Sequence, residues 1–144
     1  MKRAMFIGAI GCGKTTLLQR LNRLTIHYNK TQSVEFYKNI IDTPGEFIEH
    51  RRMYTNLATT AMDADVVVLL QSVSDHRLVF PEAFSTMFGR PVVGVVTKID
   101  LSTDPADLDW AKNQLKRAGA QQIFEVSALK NLQLDALQAY LTVE

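Results

Sequence analysis

Apolar positions along the chain form two kinds of pattern that alternate from one end to the other. The segments 66–70 and 92–96 are nearly unbroken apolar runs, which is typical of central parallel strands covered on both faces. Between Thr16 and Leu24, leucines at positions 17, 18, 21 and 24 follow helical spacing instead. The alternation predicts an α/β fold, a parallel sheet with helices on both faces.

Six strands and five helices are predicted from these patterns and from the turn residues between them. The strands are expected at 2–7, 32–37, 39–42, 65–71, 91–97 and 122–126. The helices are expected at 14–24, 51–62, 81–88, 107–118 and 132–141, and the fourth can be capped by Asp104 and ended by Gly119. A hairpin about Lys38-Asn39 joins the second and third strands. The expected fold class is therefore a three-layer sandwich, with a mostly parallel six-stranded sheet that contains one antiparallel strand.

Length and composition favour a single domain, residues 1–144. With 47% hydrophobic residues, a chain of 144 residues is expected to bury about 68% of the surface that its unfolded form exposes. Its 16 basic and 15 acidic residues leave a net charge of +1, so bulk electrostatics recruits neither nucleic acid nor an anionic membrane. No apolar run reaches the roughly 18 residues that span a bilayer. No removable leader is expected either, because Met1-Lys-Arg3 leads directly into the first strand.

Cysteine and histidine usage points away from a disulfide and from structural zinc. Cys12 is the only cysteine, which excludes an internal disulfide and fits a reducing cytosol. The histidines His27, His50 and His76 are scattered and have no cysteine partners at ligand spacing. Two interpretations of Cys12 stay open: a thiol whose oxidation blocks the surrounding loop, or a small residue that contributes only its backbone N–H.

The segment Gly8-Ala-Ile-Gly-Cys-Gly-Lys14-Thr15 matches the pattern GxxxxGK[ST] and lies between the first predicted strand and the first helix. Backbone N–H groups of such a loop, together with the positive end of the following helix, can bind the phosphates of a nucleotide. Lys14 is expected between the β- and γ-phosphates, and Thr15 is expected on Mg²⁺. The predicted binding residues of this loop are Gly8, Ala9, Gly11, Cys12, Gly13, Lys14, Thr15 and Thr16.

A second motif, Asp42-Thr-Pro-Gly45, follows the apolar pair Ile40-Ile41 directly. A carboxylate at this strand end can hold Mg²⁺ through water, and Gly45 lets its backbone N–H approach the γ-phosphate closely. In isolation this segment is more typical of a plain turn. Beside a phosphate loop, it predicts Asp42 as a metal ligand and Gly45 as part of the catalytic machinery.

Two further segments point to guanine as the base. The first is Thr97-Lys-Ile-Asp100, where the Asp100 carboxylate can accept two hydrogen bonds from guanine, a pair that adenine does not offer. The Lys98 stem can lie along the base and the phosphate loop. In the second, Ser127-Ala-Leu129, the Ala128 N–H can donate to guanine O6. The predicted base-binding residues are Thr97, Lys98, Asp100, Ser127, Ala128 and Leu129.

These four segments, in this order and at strand ends, resemble the Ras-like small GTPases among the P-loop NTPases. Lys30-Thr-Gln32, Asp42-Thr-Pro-Gly-Glu46 and the short interval between phosphate loop and Asp42 resemble the EutP/PduV family of ethanolamine and propanediol utilisation proteins more narrowly. The resemblance implies a Ras-like fold, binding of GTP and GDP with Mg²⁺, and association with bacterial microcompartments. It also implies that Thr31 is the first-switch threonine, which meets Mg²⁺ and the γ-phosphate, with Thr25 as the alternative.

Three positions depart from the Ras-like pattern. Glu46 stands where those enzymes carry glutamine; a carboxylate there can accept a proton from water but also repels phosphate, so its catalytic role stays open. Ile10 replaces a loop glycine and is expected to crowd an arginine supplied by a partner. Thr97 replaces the usual asparagine, which removes an amide that ties the base pocket to the phosphate loop, so we expect reduced affinity. The candidate catalytic residues are Lys14, Thr31, Gly45 and Glu46.

The leading hypothesis is therefore a cytoplasmic guanine-nucleotide-binding protein with slow, Mg²⁺-dependent GTP hydrolysis. One alternative is a non-catalytic module that binds a microcompartment shell or enzyme protein through its nucleotide-dependent segments. Another is a phosphotransferase that acts on a small carboxylate, for which the sequence contains no recognisable acceptor site. No nucleic acid or membrane is expected as a partner.

Overall fold

Five strands form one parallel sheet in the part of the chain that the computed structural model describes, residues 2–28 and 39–142, with 24–28 described by their backbone alone. The strands are β1 (Ala4–Gly8), β2 (Ile40–Asp42), β3 (Val66–Ser72), β4 (Val92–Thr97) and β5 (Ile123–Glu125). Their order is β2-β1-β3-β4-β5, and every neighbouring pair is parallel. This confirms the predicted fold class. The sheet has five described strands rather than six, because the antiparallel strand predicted at 32–37 and its hairpin lie outside the described residues.

Helices of regular α type connect the strands. They are α1 (Lys14–Tyr28), α2 (Gly45–Glu49), α3 (Tyr54–Ala61), α4 (Pro105–Ala118) and α5 (Leu134–Thr142), and short 3₁₀ turns occur at Arg51–Met53, Phe84–Met87 and Ile99–Leu101. Helix α1 is four residues longer than predicted. Helix α2 was not predicted; it begins directly after Pro44, whose ψ of 138° is not helical.

Three of the predicted helices have different bounds for local reasons. The helix predicted at 51–62 is divided into a 3₁₀ turn and α3. The helix predicted at 81–88 is reduced to the turn Phe84–Met87, because Ala83 has a left-handed φ of 60° that interrupts a right-handed helix. The last helix begins at Leu134 rather than at 132, because Leu132 pairs with Ser127 in an antiparallel bridge and Gln133 has a φ of 57°.

The ends of α4 are set by the residues that the sequence indicates. The Asp104 carboxylate accepts a hydrogen bond of 2.9 Å from the Ala106 N–H, and Pro105 occupies the first turn, where a missing N–H has no cost. Gly119 ends the helix with a φ of 107°, a conformation that glycine adopts without strain. The helix begins two residues earlier than predicted, and its predicted caps are confirmed.

Two apolar layers hold the helices on the sheet. On one face, Leu17 and Leu21 of α1 and Leu137 of α5 belong to the same apolar layer as Phe6 of β1 and Val68 of β3. On the other face, the apolar layer includes residues of α2, α3 and α4. The sheet and the helices on its two faces thus form the predicted three-layer sandwich. None of the helices in the described ranges has the length and apolar character needed to cross a membrane.

Strand order places the carboxyl ends of β1 and β3 side by side. The chain leaves β1 toward β2 on one side, while β3 pairs with β1 on the other, with Gly8 in register with Leu70. A reversal of strand order in a parallel sheet opens a crevice at the carboxyl ends of the strands, where ligands bind. The loop that follows Gly8 lies at this crevice.

Candidate functional site

The predicted phosphate loop connects β1 to the first turn of α1. Gly11 and Gly13 have φ values of 83° and 90°, a backbone conformation that L-residues with side chains rarely adopt. A Cβ at Gly13 would lie 3.3 Å from Lys98 Cε, and a Cβ at Gly8 would overlap Cys12 Sγ. The backbone conformation therefore requires glycine at positions 11 and 13, and close neighbouring atoms disfavour a side chain at positions 8 and 13.

A cavity of about 660 Å³ opens around this loop, and we call it the loop cavity. Its size lies within the range typical of ligand sites. It is lined by Ala9, Ile10, Gly11, Cys12, Gly13, Lys14, Thr15, Thr16, Asp42, Thr43, Pro44, Gly45 and Lys98. The loop and the Asp42-Thr-Pro-Gly45 segment, distant in sequence, are thus brought together at one site.

Lys14 is the cationic centre of the loop cavity. Its ammonium lies 2.9 Å from Asp42 Oδ1 and donates a hydrogen bond to the Thr43 carbonyl oxygen. Thr43 is itself held in place, because its buried hydroxyl donates a 2.7 Å hydrogen bond to the carbonyl oxygen of Phe6. The Lys14 side chain is only 13% exposed and lines the loop cavity, where Asp42 and Thr43 at the end of β2 hold its ammonium.

A second, more apolar cavity of about 200 Å³ adjoins the first, and we call it the Asp100 pocket. It is lined by Gly13, Thr16, Leu17, Thr97, Lys98, Asp100, Leu101, Val126, Ala128 and Leu129. Three of these residues, Gly13, Thr16 and Lys98, also line the loop cavity. The two cavities therefore form one continuous surface.

Asp100 is oriented by Ser127. The Ser127 hydroxyl donates a 2.6 Å hydrogen bond to Asp100 Oδ1 and accepts one of 3.2 Å from the Lys130 N–H. Ser127 is fully buried and does not line the pocket, so its predicted contribution is indirect. Two backbone hydrogen bonds between Ser127 and Leu132, of 2.9 and 3.2 Å, hold this loop in place.

Thr97 and Lys98 join the end of β4 to the phosphate loop. The Thr97 hydroxyl donates a 2.6 Å hydrogen bond to the Cys12 carbonyl oxygen, and the Lys98 ammonium donates one of 2.7 Å to the Gly11 carbonyl oxygen. The expectation that Thr97 removes the tie between base pocket and phosphate loop is therefore wrong. A threonine hydroxyl is shorter than an asparagine amide, but it reaches the loop directly. Lys98 attains its position with a left-handed φ of 60°, a conformation that carries strain.

The predicted metal ligands within the described residues are brought to one cavity. Thr15 and Asp42 both line the loop cavity, and the Asp42 side chain is 51% exposed. A hydroxyl and a carboxylate facing water are ligands that suit Mg²⁺, which retains several water molecules when bound. Thr31 lies outside the described residues, and its alternative, Thr25, lies in α1 with its side chain outside the description.

The remaining predicted residues differ in their relation to the cavity. Gly45 lines it, and a Cβ at that position would lie 2.8 Å from the Ile10 backbone nitrogen. Glu46 does not line it; this exposed residue lies in the first turn of α2. Gly8 is buried and does not line the cavity; its lack of a side chain leaves room for Cys12 Sγ. Ile10 lines the cavity and is 62% exposed.

Cys12 is 4% exposed, and burial raises the pKa of its thiol above the ordinary value, although Lys14 and Lys98 act in the opposite direction. Desolvation disfavours the charged thiolate. A neutral buried thiol favours the interpretation of Cys12 as a small residue of the loop. Its backbone has the structural role: the carbonyl oxygen accepts from Thr97, and the N–H donates to the Ala9 carbonyl oxygen.

Several lining residues were not predicted. Thr43 and Pro44 lie inside a recognised motif, and Leu101 directly follows Asp100, so proximity in sequence was an available signal. Leu17 and Val126 belong to the apolar patterns of α1 and of the end of β5, which indicate a core. Only their position beside the crevice makes them part of the pocket.

Solved structures with the same fold are P-loop GTPases. Era of Aquifex aeolicus, determined with GDP and AlF₄⁻, matches with a TM-score of 0.63 and 18% identity over 99% of this chain and 57% of that protein. Apo SelB, a translation elongation factor of Methanococcus maripaludis, matches with a TM-score of 0.62 and 17% identity over 95% of this chain and 31% of that protein. The chain therefore spans only part of these larger proteins, and at this identity the likeness shows the fold alone.

Relatives of similar length show the family. The propanediol utilization protein PduV of Citrobacter freundii is 38% identical over 144 residues, which cover 100% of this chain and 95% of that protein. A protein of Escherichia coli K12 named probable acetate kinase EutP is 33% identical over 98% of this chain and 89% of its own length. The model of the family described as "Ethanolamine utilisation - propanediol utilisation" matches residues 1–143. This chain belongs to that family, PduV-EutP, and has the fold of a P-loop GTPase.

Proposed function

We propose that this protein binds guanine nucleotides across the loop cavity and the Asp100 pocket, and that it hydrolyses GTP slowly with Mg²⁺. The continuity of the two cavities carries the proposal. Gly13, Thr16 and Lys98 line both, while Lys14 lines the first and Asp100 the second. A cationic, glycine-rich cavity suits phosphates, and an apolar pocket with one carboxylate suits a flat base that has two neighbouring donors.

The two functional ends of the surface have different chemistry. Lys14 now binds two protein oxygens, the Asp42 carboxylate and the Thr43 carbonyl. Phosphate oxygens offer a stronger charge-assisted interaction to the same ammonium. When bound, Mg²⁺ would supply neutralisation of phosphate charge, and Thr15 and Asp42 would hold it. Asp100, oriented by Ser127, would accept from the N1–H and the exocyclic amine of guanine.

Slow hydrolysis is proposed because the described residues offer little that would position water. Glu46, the residue after Gly45, is exposed and does not line the loop cavity. A carboxylate in that place can accept a proton from water, but its negative charge opposes the phosphate. Phosphoryl transfer depends on positioning and on stabilisation of the transition-state charge, so binding is the stronger function of this surface.

Nucleotide titration tests the assignment. We expect the purified protein to bind GTP and GDP more tightly than ATP. Lys14→Ala should abolish binding, because it removes the charge directed into the loop cavity. Lys116→Ala is a matched control, since Lys116 is exposed near the end of α4 and lines neither cavity. Equal or tighter binding of ATP would exclude guanine specificity, and unchanged binding by Lys14→Ala would exclude the loop cavity as the phosphate site.

A second candidate function is phosphoryl transfer from GTP to a small carboxylate. Two observations favour it: relatives at 33% and 35% identity are named probable acetate kinase EutP, and a cavity containing arginines adjoins the phosphate loop. In that reaction, a carboxylate oxygen forms a bond to the γ-phosphorus, the bond to the β-phosphate oxygen breaks, and GDP leaves with the electron pair. Trapping of the acyl phosphate with hydroxylamine would demonstrate it, whereas release of inorganic phosphate alone would contradict it.

We further propose that the protein acts in the cytoplasm beside a microcompartment of propanediol or ethanolamine utilisation. The family description and the PduV relative support this setting. Copurification with shell or enzyme proteins of such a compartment, dependent on the bound nucleotide, is the expected result. A uniform cellular distribution of the tagged protein in cells that form the compartment would contradict it.

A further inference from the structure

Another cavity, of about 240 Å³, shares one wall with the loop cavity through Ala9. Its polar lining residues are Glu49, Arg51, Tyr54 and Arg77, and its apolar lining residues include Ile48, Leu78 and Val79. We call it the Arg51 cavity. We propose that it binds a short-chain carboxylate, with Arg51 as the cationic anchor.

Arg51 and Arg77 have different freedom to bind a ligand. The Arg77 guanidinium holds both Asp75 carboxylate oxygens, with hydrogen bonds of 3.0 and 2.9 Å, and lies 3.4 Å from Glu49 Oε1. These bonds hold the pKa of Asp75 below its ordinary value, since a guanidinium favours the charged carboxylate. Arg77 is thus already neutralised by protein groups. The Arg51 side chain makes no hydrogen bond or ion pair with any residue in the described ranges, so among these residues nothing competes with a carboxylate for its fork of donors.

Tyr54 supplies a second donor beside Arg51. Its ring is fixed by an edge-to-face contact with Phe84, at 5.4 Å between ring centroids. Burial raises the pKa of the Tyr54 phenol, so it remains protonated at neutral pH. Within the part of the chain that is described, its hydroxyl has no hydrogen-bond partner. A guanidinium and a phenol in the lining of one small cavity can donate to the two oxygens of one carboxylate.

Charge and shape favour a small monoanion over inorganic phosphate. The charges of Arg51 and Arg77 are balanced by those of Asp75 and Glu49, so a bound monoanion leaves one net negative charge at the cavity and a dianion leaves two. The second charge of a dianion would add to the repulsion from Glu49. The apolar wall of Ile48, Leu78 and Val79 has no polar partner to offer to the remaining oxygens of a phosphate, but it can cover a short alkyl chain. Propionate and acetate have the required combination of one carboxylate and a small apolar group.

The position of the cavity gives it a role in the second candidate function. Ala9 lines both cavities, so a carboxylate held by Arg51 would lie close to the phosphate loop. That role as an acceptor site rests on the proposed nucleotide binding. Binding of the carboxylate itself does not, and it is tested without nucleotide.

Ligand-observed NMR and calorimetric titration of the nucleotide-free protein test the proposal. We expect saturable binding of propionate and no comparable binding of propionamide, which has the same shape without the charge. Arg51→Gln should weaken propionate binding at least tenfold, Arg51→Lys should restore part of it, and Tyr54→Phe should have a smaller effect. Arg52→Gln is the matched control, because Arg52 is an exposed neighbour that does not line the cavity.

Each other outcome would overturn the inference. Absence of saturable propionate binding, equal binding of propionamide, tighter binding of inorganic phosphate, or full binding by Arg51→Gln would each contradict it. GTP titration of the same variants separates this result from the nucleotide assignment. A variant that binds GTP as the unmodified protein does has retained its fold, so lost propionate binding in that variant is a property of the Arg51 cavity alone.

Discussion

The Thr97 hydroxyl lies 2.6 Å from the carbonyl oxygen of Cys12 and donates a hydrogen bond to it. The two residues are separated by 85 positions in sequence, and they are 3% and 4% exposed. This bond fixes the phosphate loop to the end of β4, and thereby sets the distance between the loop cavity and the Asp100 pocket. It takes the place of the amide tie that an asparagine would supply.

Thr97→Val should destabilise the protein and weaken nucleotide binding together. Valine keeps the shape but leaves the buried Cys12 carbonyl without its partner, which costs about 1–3 kcal/mol in the free energy of unfolding. Chemical denaturation measures this loss, and GTP titration measures the effect on the site. Thr97→Ser, which retains the hydroxyl, serves as control; a loss of GTP affinity as large in Ser as in Val would show that the hydroxyl is not responsible.

Asp100→Asn should change which base is preferred. The amide replaces one acceptor by a donor, so GTP binding should weaken by about 1–3 kcal/mol, while XTP, with a carbonyl in place of the exocyclic amine, should bind better. Competition titration with both nucleotides measures the ratio. Asp104→Asn is the control, since asparagine is also a good helix cap and Asp104 does not line the pocket. An unchanged ratio of GTP to XTP would contradict the assigned role.

Gly13→Ala should destabilise the nucleotide-free protein more than Gly11→Ala. Both positions have positive φ, so alanine brings backbone strain of about 1–3 kcal/mol at either one. Only at Gly13 does the added Cβ also meet a neighbour, Lys98 Cε at 3.3 Å; at Gly11 the space within 4 Å is empty. The difference in free energy of unfolding between the two variants measures this contact. Equal losses would mean that Lys98 moves aside at no cost.

Cys12 should react slowly with alkylating reagents. Burial keeps its thiol protonated, and the thiolate is the reactive form. At pH 8, we expect iodoacetamide to modify Cys12 at least tenfold more slowly than a free cysteine in solution, with the full rate restored in denaturant. A native rate equal to that of free cysteine would support the alternative interpretation, in which oxidation of Cys12 controls the loop.

Local sequence patterns predicted the elements whose ends depend on nearby residues. The caps of α4 are an example, because Asp104 and Gly119 act within one turn of the helix that they bound. Where a hydrogen bond to a residue outside the helix decides, the pattern was misleading. The start of α5 is displaced by the bridge between Ser127 and Leu132. The helix expected at 81–88 is reduced to a 3₁₀ turn, which begins after the left-handed Ala83, whose N–H donates to the Arg117 carbonyl oxygen of α4.

By itself, the sequence determined the α/β fold and the phosphate loop, since both follow from short-range spacing of apolar residues, glycines and one lysine. The motifs Asp42-Thr-Pro-Gly45 and Thr97-Lys-Ile-Asp100 were recognisable for the same reason. Only the tertiary structure decided that Thr97 holds Cys12, that Ser127 orients Asp100 and that Arg51, whose side chain has no partner among the described residues, lines one cavity with Ala9. These relations depend on which strand ends and helices become neighbours. Packing of the sheet brings together residues that are far apart in sequence, and no short-range sequence pattern predicts such contacts.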